Sequence, residues 1–430
     1  MVASAEVRVG VLGCGHVGGA LVGLLAADGD GIAERTGVRL RVARVAVRNL
    51  ARERSVKIDP ELLTHDAASV VSDPAVDVVV ELMGGIEPSR SLILTALAAG
   101  KPVVTANKEL LANVGSELFE AAAAAGLDLL YEAAVAGAIP LIRPLRESLA
   151  GERIHRVMGI VNGTTNYILT RMSEEKLGYA EALGEAQRLG LAERDPTADV
   201  EGDDASAKAA ILASIAFGRE VVAGDVYREG ITGVESTDIA FARRLGYEVK
   251  LLAVAERTED GAIAVRVHPA MVPRDHPLAG VRDSYNAVFV EGEAVGQLMF
   301  YGRGAGGLPT AAAVLGDLVD AAHNLRAGVG GRTVVRQRAR ISPIDALRSQ
   351  YYLTIDVVDR PGVLGAVAAT FGEHHVSIRS MEQVGLGDEA HLVFITHTAT
   401  EGDLQATLSA LRHLDAVERV GGLLRVIGPD

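Results

Sequence analysis

The sequence predicts an α/β protein in three parts: a doubly wound parallel sheet with helices on both faces, a central α+β region, and a small β-α-β-β-α-β module. Three observations predict it. Short apolar runs alternate with amphipathic stretches from Val7 to about Tyr131, longer helical stretches and then long strands follow Pro140, and the elements shorten again after Tyr351. At roughly 150 residues per domain, 430 residues leave room for about three domains.

In order, residues 7–12 read as a buried strand, 17–27 as a helix and 38–47 as a second strand. Residues 76–82 form a third strand, 89–99 a helix, 102–105 a strand, 109–125 a helix and 127–131 another strand. Such near-continuous apolar strands, separated by helices, suit a sheet covered on both faces. The central region carries strands at 247–255, 262–268 and 287–300, then a helix at 309–323 after the glycine-rich run Tyr301-Gly-Arg-Gly-Ala-Gly-Gly. A segment holding Arg326, Arg332, Arg336, Arg338 and Arg340 reads as a solvated linker, with phosphate binding as its alternative. The last module has a strand from 351, a helix at 362–371, strands at 376–382 and 390–396, a helix at 404–414 and a strand at 423–427, the ferredoxin-like order. The expected divisions are 1–140, 141–325, a linker at 326–349, and 350–430.

Composition excludes several function classes. A net charge of −14, from 42 basic and 56 acidic residues, would repel a phosphate backbone, so no nucleic-acid partner is expected. Cys14 is the only cysteine, which rules out an intrachain disulfide or a cysteine-rich metal site and favours a reducing compartment. No apolar run reaches the roughly 18 residues of a membrane span, and the N-terminal residues lack a basic segment leading into an apolar core. A soluble, cytoplasmic protein without membrane contact is expected.

Gly13-Cys14-Gly15-His16-Val17-Gly18 is a G-x-G-x-x-G that follows a strand and opens a helix. Glycines there permit a tight turn, let the backbone approach a pyrophosphate, and let helix pack on strand, while helix N–H groups face the phosphate. This is a Rossmann dinucleotide site in the first 140 residues. Where an NAD-specific site places Asp or Glu after the second strand, this chain has Arg48, with Lys57 downstream. Cations suit a 2′-phosphate, so NADP is favoured, with NAD as the alternative. The strands ending at Met83-Gly84-Gly85 and Thr105-Ala-Asn107-Lys108 finish where open α/β sheets bind ligands. Lys108 thereby points to the nicotinamide end, or else opens an ordinary surface helix.

Between 186 and 208, carboxylates and one lysine are concentrated beside an apolar helix. Asp204 and Lys208 stand four residues apart, on one helical face just after Gly202. Taken alone this is a surface ion pair worth a few tenths of a kcal/mol. The helix continues Ala209-Ala-Ile-Leu-Ala-Ser-Ile-Ala-Phe217, apolar nearly all round, and a lysine beside a buried helix is a candidate functional group.

Ala186, Gly190, Asp195-Pro196, Asp199, Gly202, Asp204 and Lys208 together resemble the signature of homoserine dehydrogenases. The glycine loop, Met83-Gly-Gly, Thr105-Ala-Asn-Lys108, Tyr131-Glu-Ala, Asn162-Gly-Thr-Thr-Asn and Gly304-Ala-Gly-Gly-Leu-Pro-Thr are similar to the same family, so the likeness covers nearly the whole chain. It implies NAD(P)-dependent interconversion of L-aspartate 4-semialdehyde and L-homoserine in threonine, methionine and isoleucine biosynthesis. Reduction needs a hydride to carbon and a proton to the developing alkoxide, which a lysine ammonium can supply. Lys208 is the expected donor, and in oxidation the same group, deprotonated, is the base. By resemblance Glu193 and Asp204 hold the substrate ammonium, Asp199 orients Lys208 or bonds the reacting oxygen, and Lys108 contacts cofactor and substrate. The division of proton transfer between the two lysines stays open. Gly306 is carried over as a backbone contact to the cofactor, with a packing glycine as the alternative. Asn162-Gly163-Thr164-Thr165 reads as a loop near substrate, or equally as a helix cap.

The stretch Glu132-Ala-Ala-Val135-Ala-Gly137-Ala-Ile139-Pro140 resembles the family loop that binds a structural sodium ion, largely through backbone carbonyls, which implies Glu132, Val135, Gly137 and Ile139 as its ligands. Asp359-Arg-Pro-Gly-Val-Leu-Gly365 looks like the opening of an ACT domain, which implies pairing into a dimer or tetramer and L-threonine as effector, or a pairing module with no ligand. Two other readings compete. An aspartate semialdehyde dehydrogenase would need a cysteine nucleophile, and Cys14 lies inside the phosphate loop. A non-enzymatic amino-acid sensor would not need Glu193, Asp204 and Lys208. With no kinase-sized segment before Val7, a fused aspartate kinase is not expected.

Overall fold

The computed structural model describes residues 6–54, 56–330, 334–385 and 389–428. The chain begins β1 (Glu6–Leu12), α1 (His16–Thr36), β2 (Arg39–Ala46), β3 (Leu63–Thr64), α2 (Ala67–Ser72), β4 (Val78–Glu81), α3 (Ser89–Ala98), β5 (Val103–Thr105), α4 (Lys108–Ala125) and β6 (Leu129–Leu130). It continues β7 (Ile154–Ile160), α5 (Gly163–Glu174), α6 (Tyr179–Arg188), α7 (Thr197–Val200), α8 (Asp203–Phe217), β8 (Tyr227–Arg228), α9 (Ser236–Arg244), β9 (Tyr247–Arg257), β10 (Ile263–Pro273), β11 (Tyr285–Gly292), β12 (Gly296–Arg303) and α10 (Gly307–Ala327). The last elements are β13 (Arg348–Val358), α11 (Val363–Glu373), β14 (Ile378–Gly385), β15 (Glu389–Thr396), β16 (Ala399–Thr400), α12 (Glu401–Leu411) and β17 (Val417–Val426). Among the described residues no helix is long and apolar enough to cross a membrane.

Two compact units emerge: Met1–Ile154 with Ala210–Gly224 and Phe300–Ala339, and His155–Ala209 with Asp225–Met299 and Arg340–Asp430. The first holds the expected doubly wound sheet, all parallel, in the order β3-β2-β1-β4-β5-β6. Alternation along β4 builds its two cores. Val78 and Val80 meet Leu21 and Leu25 of α1 and Val314 and Leu318 of α10. Val79 faces Ile93 of α3 and Leu110 and Leu118 of α4 on the other side. Helix α10 therefore covers one face of the nucleotide-binding sheet, although its place in the chain suggested the central domain. The strand order reverses between β1 and β4, which sets the Gly13 loop beside the Met83 loop at the carboxyl ends of the strands.

The second unit carries a mixed sheet in the order β12-β11-β7-β9-β10-β17-β13-β15-β14. Strands β17, β13, β15 and β14 form the antiparallel sheet of the ferredoxin-like module. The free edge of β17 then pairs in parallel with β10, at Ala270↔Arg425 and Met271↔Val426, so the terminal module continues the central sheet.

Several expectations change in detail. The strand expected at 287–300 is two strands, because Gly296 turns back at φ 71° between β11 and β12. Strand β7 was missed, because Met158 and Ile160 are buried next to a buried Val157, and the alternation that marks a half-exposed strand is absent. The arginine-rich linker is pinned rather than simply solvated. Arg326 donates to the Gly37 carbonyl at 2.8 Å, Arg336 lies over the Phe119 ring, Arg340 pairs with Asp260, and residues 338 and 341 form β-bridges. Arg332 falls outside the described residues.

Candidate functional site

Two of the three loop glycines are required by close approach. Gly13 has φ 95°, and a Cβ there would sit 2.7 Å from the Leu82 carbonyl oxygen. A Cβ on Gly18 would meet the Gly13 carbonyl at 2.2 Å, so this glycine lets helix close on loop. Gly15 faces open space and caps α1 without a side-chain hydrogen bond, leaving first-turn N–H groups for an anion. His16 and Val17 begin that helix, and with Gly19, Ala20, Gly23, Gly306 and Leu308 they line an open groove along it. Gly306, at φ 132°, precedes α10, and a Cβ on Gly307 would lie 3.1 Å from the His16 carbonyl. Burial pushes the Cys14 thiol up, against the opposing field of Arg54.

Arg48 and Lys57 are both exposed beyond β2. Arg54, which the sequence reading passed over, donates to the carbonyls of Asn49, Leu50 and Arg52 and folds that loop around a third cation. At the ends of β4 and β5 the organiser is Glu81, fully buried. Its carboxylate accepts from Met83 N at 2.7 Å, Gly84 N at 3.2 Å, Ser89 Oγ at 3.2 Å and Thr105 Oγ1 at 2.7 Å. Asn107 donates to the Gly85 carbonyl at 2.7 Å and caps α4, placing Lys108 at the first helical position. A single acid ending a valine strand was the only signal for Glu81.

Around Glu132, the backbone adopts φ 57° at Ala136 and φ 46° at Gly137, where a Cβ would meet the Gly304 carbonyl at 2.4 Å. The Glu132 carboxylate is taken up by the backbone N–H groups of Leu141, Ile142 and Arg143, while its own N–H donates to Asp317 at 2.7 Å. Within this loop the Ala134 and Ile139 N–H groups donate to the carbonyls of Tyr131 and Ala136. Glu132, Val135 and Ile139 are buried, and among the described residues no cluster of three acidic, histidine or cysteine side chains could hold a metal. Carbonyl oxygens are thus the donors this loop offers a cation, and such hard ligands fit sodium. Asp317 is raised to about 7, chiefly by burial, with Arg143 opposing.

The second unit brings Asp199, Asp204 and Lys208 together. Lys208 Nζ donates to Asp204 Oδ2 and to the Val161 carbonyl, both at 2.7 Å, and the two charged side chains are each 12% exposed. Gly202, at φ 85°, turns α7 into α8 and sets the two carboxylates side by side. Asn162 Nδ2 donates to Asp199 Oδ1 at 2.7 Å and to Asp204 Oδ2 at 2.8 Å. Asn162 also caps α5 through Thr165 N, as the helix-cap reading of the Asn162–Thr165 loop expects. Glu193 lies on the exposed loop after α6, where its carbonyl accepts from Gln187 Nε2 at 3.1 Å.

Family models match most of the chain: "homoserine dehydrogenase, NAD binding domain" over residues 13–132, "homoserine dehydrogenase" over 140–319 and "ACT domain" over 351–416. A homoserine dehydrogenase of Mycobacterium bovis is 51% identical over 98% of both chains, and one of Corynebacterium glutamicum is 48% identical over 98% of this chain and 95% of its own. Among solved structures, a homoserine dehydrogenase from Thiobacillus denitrificans is 41% identical with a TM-score of 0.93, covering 98% of each chain. A hyperthermophilic archaeal homoserine dehydrogenase in complex with NADPH is 28% identical with a TM-score of 0.61, covering 74% of this chain and 98% of its own.

Proposed function

The chain belongs to the homoserine dehydrogenase family, oxidoreductases acting on a CH–OH group, and from that premise we propose that it interconverts L-aspartate 4-semialdehyde and L-homoserine with Lys208 as the proton-transfer group. The observation that carries this is the shielded Lys208–Asp204 pair, tied by Asn162 to Asp199. A bound nicotinamide supplies the hydride. Protonation of the alkoxide falls to the Lys208 ammonium, which Asp204 and the Val161 carbonyl orient. In oxidation the neutral amine accepts the proton, so that direction improves at alkaline pH. Asp199 is assigned to orienting the lysine or the reacting oxygen, Glu193 and Asp204 to the substrate ammonium, and Lys108 to cofactor contact and a share of proton transfer.

Gly13, Gly15, His16, Val17, Gly18 and Gly306 are assigned to the dinucleotide, whose pyrophosphate the bare first turn of α1 suits. Arg48, Lys57 and the added cation Arg54 favour NADP over NAD, and the archaeal relative's NADPH complex is consistent with that choice. The carbonyls of Glu132, Val135, Gly137 and Ile139 are assigned to sodium. Threonine is assigned to the ACT module as feedback effector. A homodimer or homotetramer fits a sheet that ends on the edge strands β12 and β14. A cytoplasmic location suits this chemistry.

The test is absorbance of NADPH and of NADH with L-aspartate 4-semialdehyde, with and without L-threonine. Turnover with NADPH, weaker turnover with NADH, and inhibition by threonine are expected. Absence of turnover in folded protein would shift the reading to an amino-acid sensor, and unchanged activity and melting temperature with threonine would leave the terminal module as a pairing domain.

A further inference from the structure

The Asn162 side chain joins both carboxylates of the cluster, a contact that capping α5 does not call for. It is 5% exposed and held at both ends. Its Oδ1 accepts from Thr165 N at 2.8 Å and from Thr165 Oγ1 at 3.0 Å, capping α5. Because the cap requires an acceptor, the oxygen must face the helix and the amide nitrogen must face the acids. That nitrogen has two hydrogens, and each has a carboxylate: Asp199 from α7 and Asp204 from α8. The preceding carbonyl, Val161, receives Lys208. Two consecutive residues at the end of β7 thereby touch all three charged groups.

We propose that Asn162 is a positioning residue for the dehydrogenase reaction: its neutral amide clamps Asp199 and Asp204 and holds Asp204 in line with Lys208. This rests on the reading of Lys208 as the proton-transfer group. Two carboxylates from different helices repel each other, and a bridging amide satisfies both without adding charge. With both acids ionised and the lysine protonated, the cluster has a net charge of about −1. Arg228 is engaged by Asp203 at 2.9 Å, and the Asn162 amide donates to both acids. A helix cap alone needs only the oxygen, and a serine or aspartate supplies that equally well.

Asn162→Ser and Asn162→Asp therefore separate the two roles, since each keeps a cap acceptor and loses the bridging donor. Both variants are expected to lose about 10–100-fold in kcat for semialdehyde reduction, the scale of a small misplacement at a reacting centre. NADPH dissociation constant, read by fluorescence, and melting temperature stay near wild type. Asn162→Asp adds a third carboxylate that favours the lysine ammonium, so the alkaline rise of homoserine oxidation moves to higher pH; the serine variant shows a smaller displacement. A serine variant with kcat within twofold of wild type overturns the proposal, as does an aspartate variant with an unmoved pH profile. Should the aspartate variant not fold, the serine variant decides through its kcat. Lys208→Ala run alongside distinguishes the failures: full activity there removes the underlying reading, whereas loss there with an active serine variant removes only the role of Asn162.

Discussion

Arg425 Nη2 lies 2.8 Å from Glu229 Oε1, a pair that ties the last strand of the chain to the segment leaving β8. The same nitrogen lies 2.9 Å from Glu401 Oε2 at the start of α12, and Tyr351 donates to that carboxylate at 3.0 Å. Arg425 is 2% exposed, so its charge is stable only because both acids are present. Arg425→Met is expected to lower unfolding stability by about 3–5 kcal/mol in urea titrations, since Glu401 would be left buried without its cation. Glu229→Gln should cost less, because Glu229 remains 28% exposed. Equal midpoints for wild type and Arg425→Met would count against a buried ion pair here.

For Lys208, removal of the ammonium should abolish the protonation step and leave dinucleotide binding alone. Lys208→Ala is expected to lose roughly 10²–10⁴-fold in kcat, with an unchanged NADPH dissociation constant. Fluorescence titration beside steady-state rates checks both halves.

Reversing the charge at Arg48 should shift dinucleotide preference. Arg48→Asp is expected to reduce the NADPH/NADH ratio of kcat/KM by about tenfold or more, the scale of a lost charge-assisted hydrogen bond. An unchanged ratio would pass the 2′-phosphate to Arg54 or Lys57.

Gly137 combines φ 46° with a Cβ position 2.4 Å from the Gly304 carbonyl. Gly137→Ala should destabilise the fold by about 1–3 kcal/mol and displace the loop carbonyls. Melting curves in sodium chloride and in choline chloride test the ion: sodium is expected to raise the wild-type midpoint and to lose that effect in the variant.

His268 supplies a pH dependence with a definite sign. It is fully buried on β10, its Nδ1 is 3.0 Å from the Pro269 carbonyl, and among the described residues its Nε2 has no partner. Burial first, then Arg425 and Arg266, hold the ring neutral well below the ordinary histidine range. The unfolded chain binds a proton below about pH 6.5 that the folded chain refuses. Stability from this group is therefore present above that pH and falls as pH drops through it, by roughly 1.4 kcal/mol per pH unit. Urea unfolding between pH 7.5 and 5 should show this slope, and His268→Asn should reduce it by one proton.

What could be read in the sequence was what neighbouring residues decide together. The glycine loop, the strand before it and the helix after it need only local sterics, and Gly13 and Gly18 make the close approaches their spacing implied. Asp204 and Lys208 stand one helical turn apart, so helix geometry alone made them a pair. Glu81 was hidden because its four donors arrive from three separate segments. Glu193 was paired with Asp204 by the family resemblance, and it lies on the exposed loop after α6.

By itself, then, the sequence determined the nucleotide loop, the acid–lysine pair and most elements of the first sheet and of the terminal module, all consequences of short-range periodicity and turn chemistry. The tertiary structure alone decided that α10 joins the nucleotide-binding sheet, that Asn162 bridges acids 37 and 42 residues away, and that Arg425 meets Glu229 across 196 residues. Those pairings depend on which strands become neighbours, and strand neighbours are selected by the burial of whole apolar faces rather than by any local pattern.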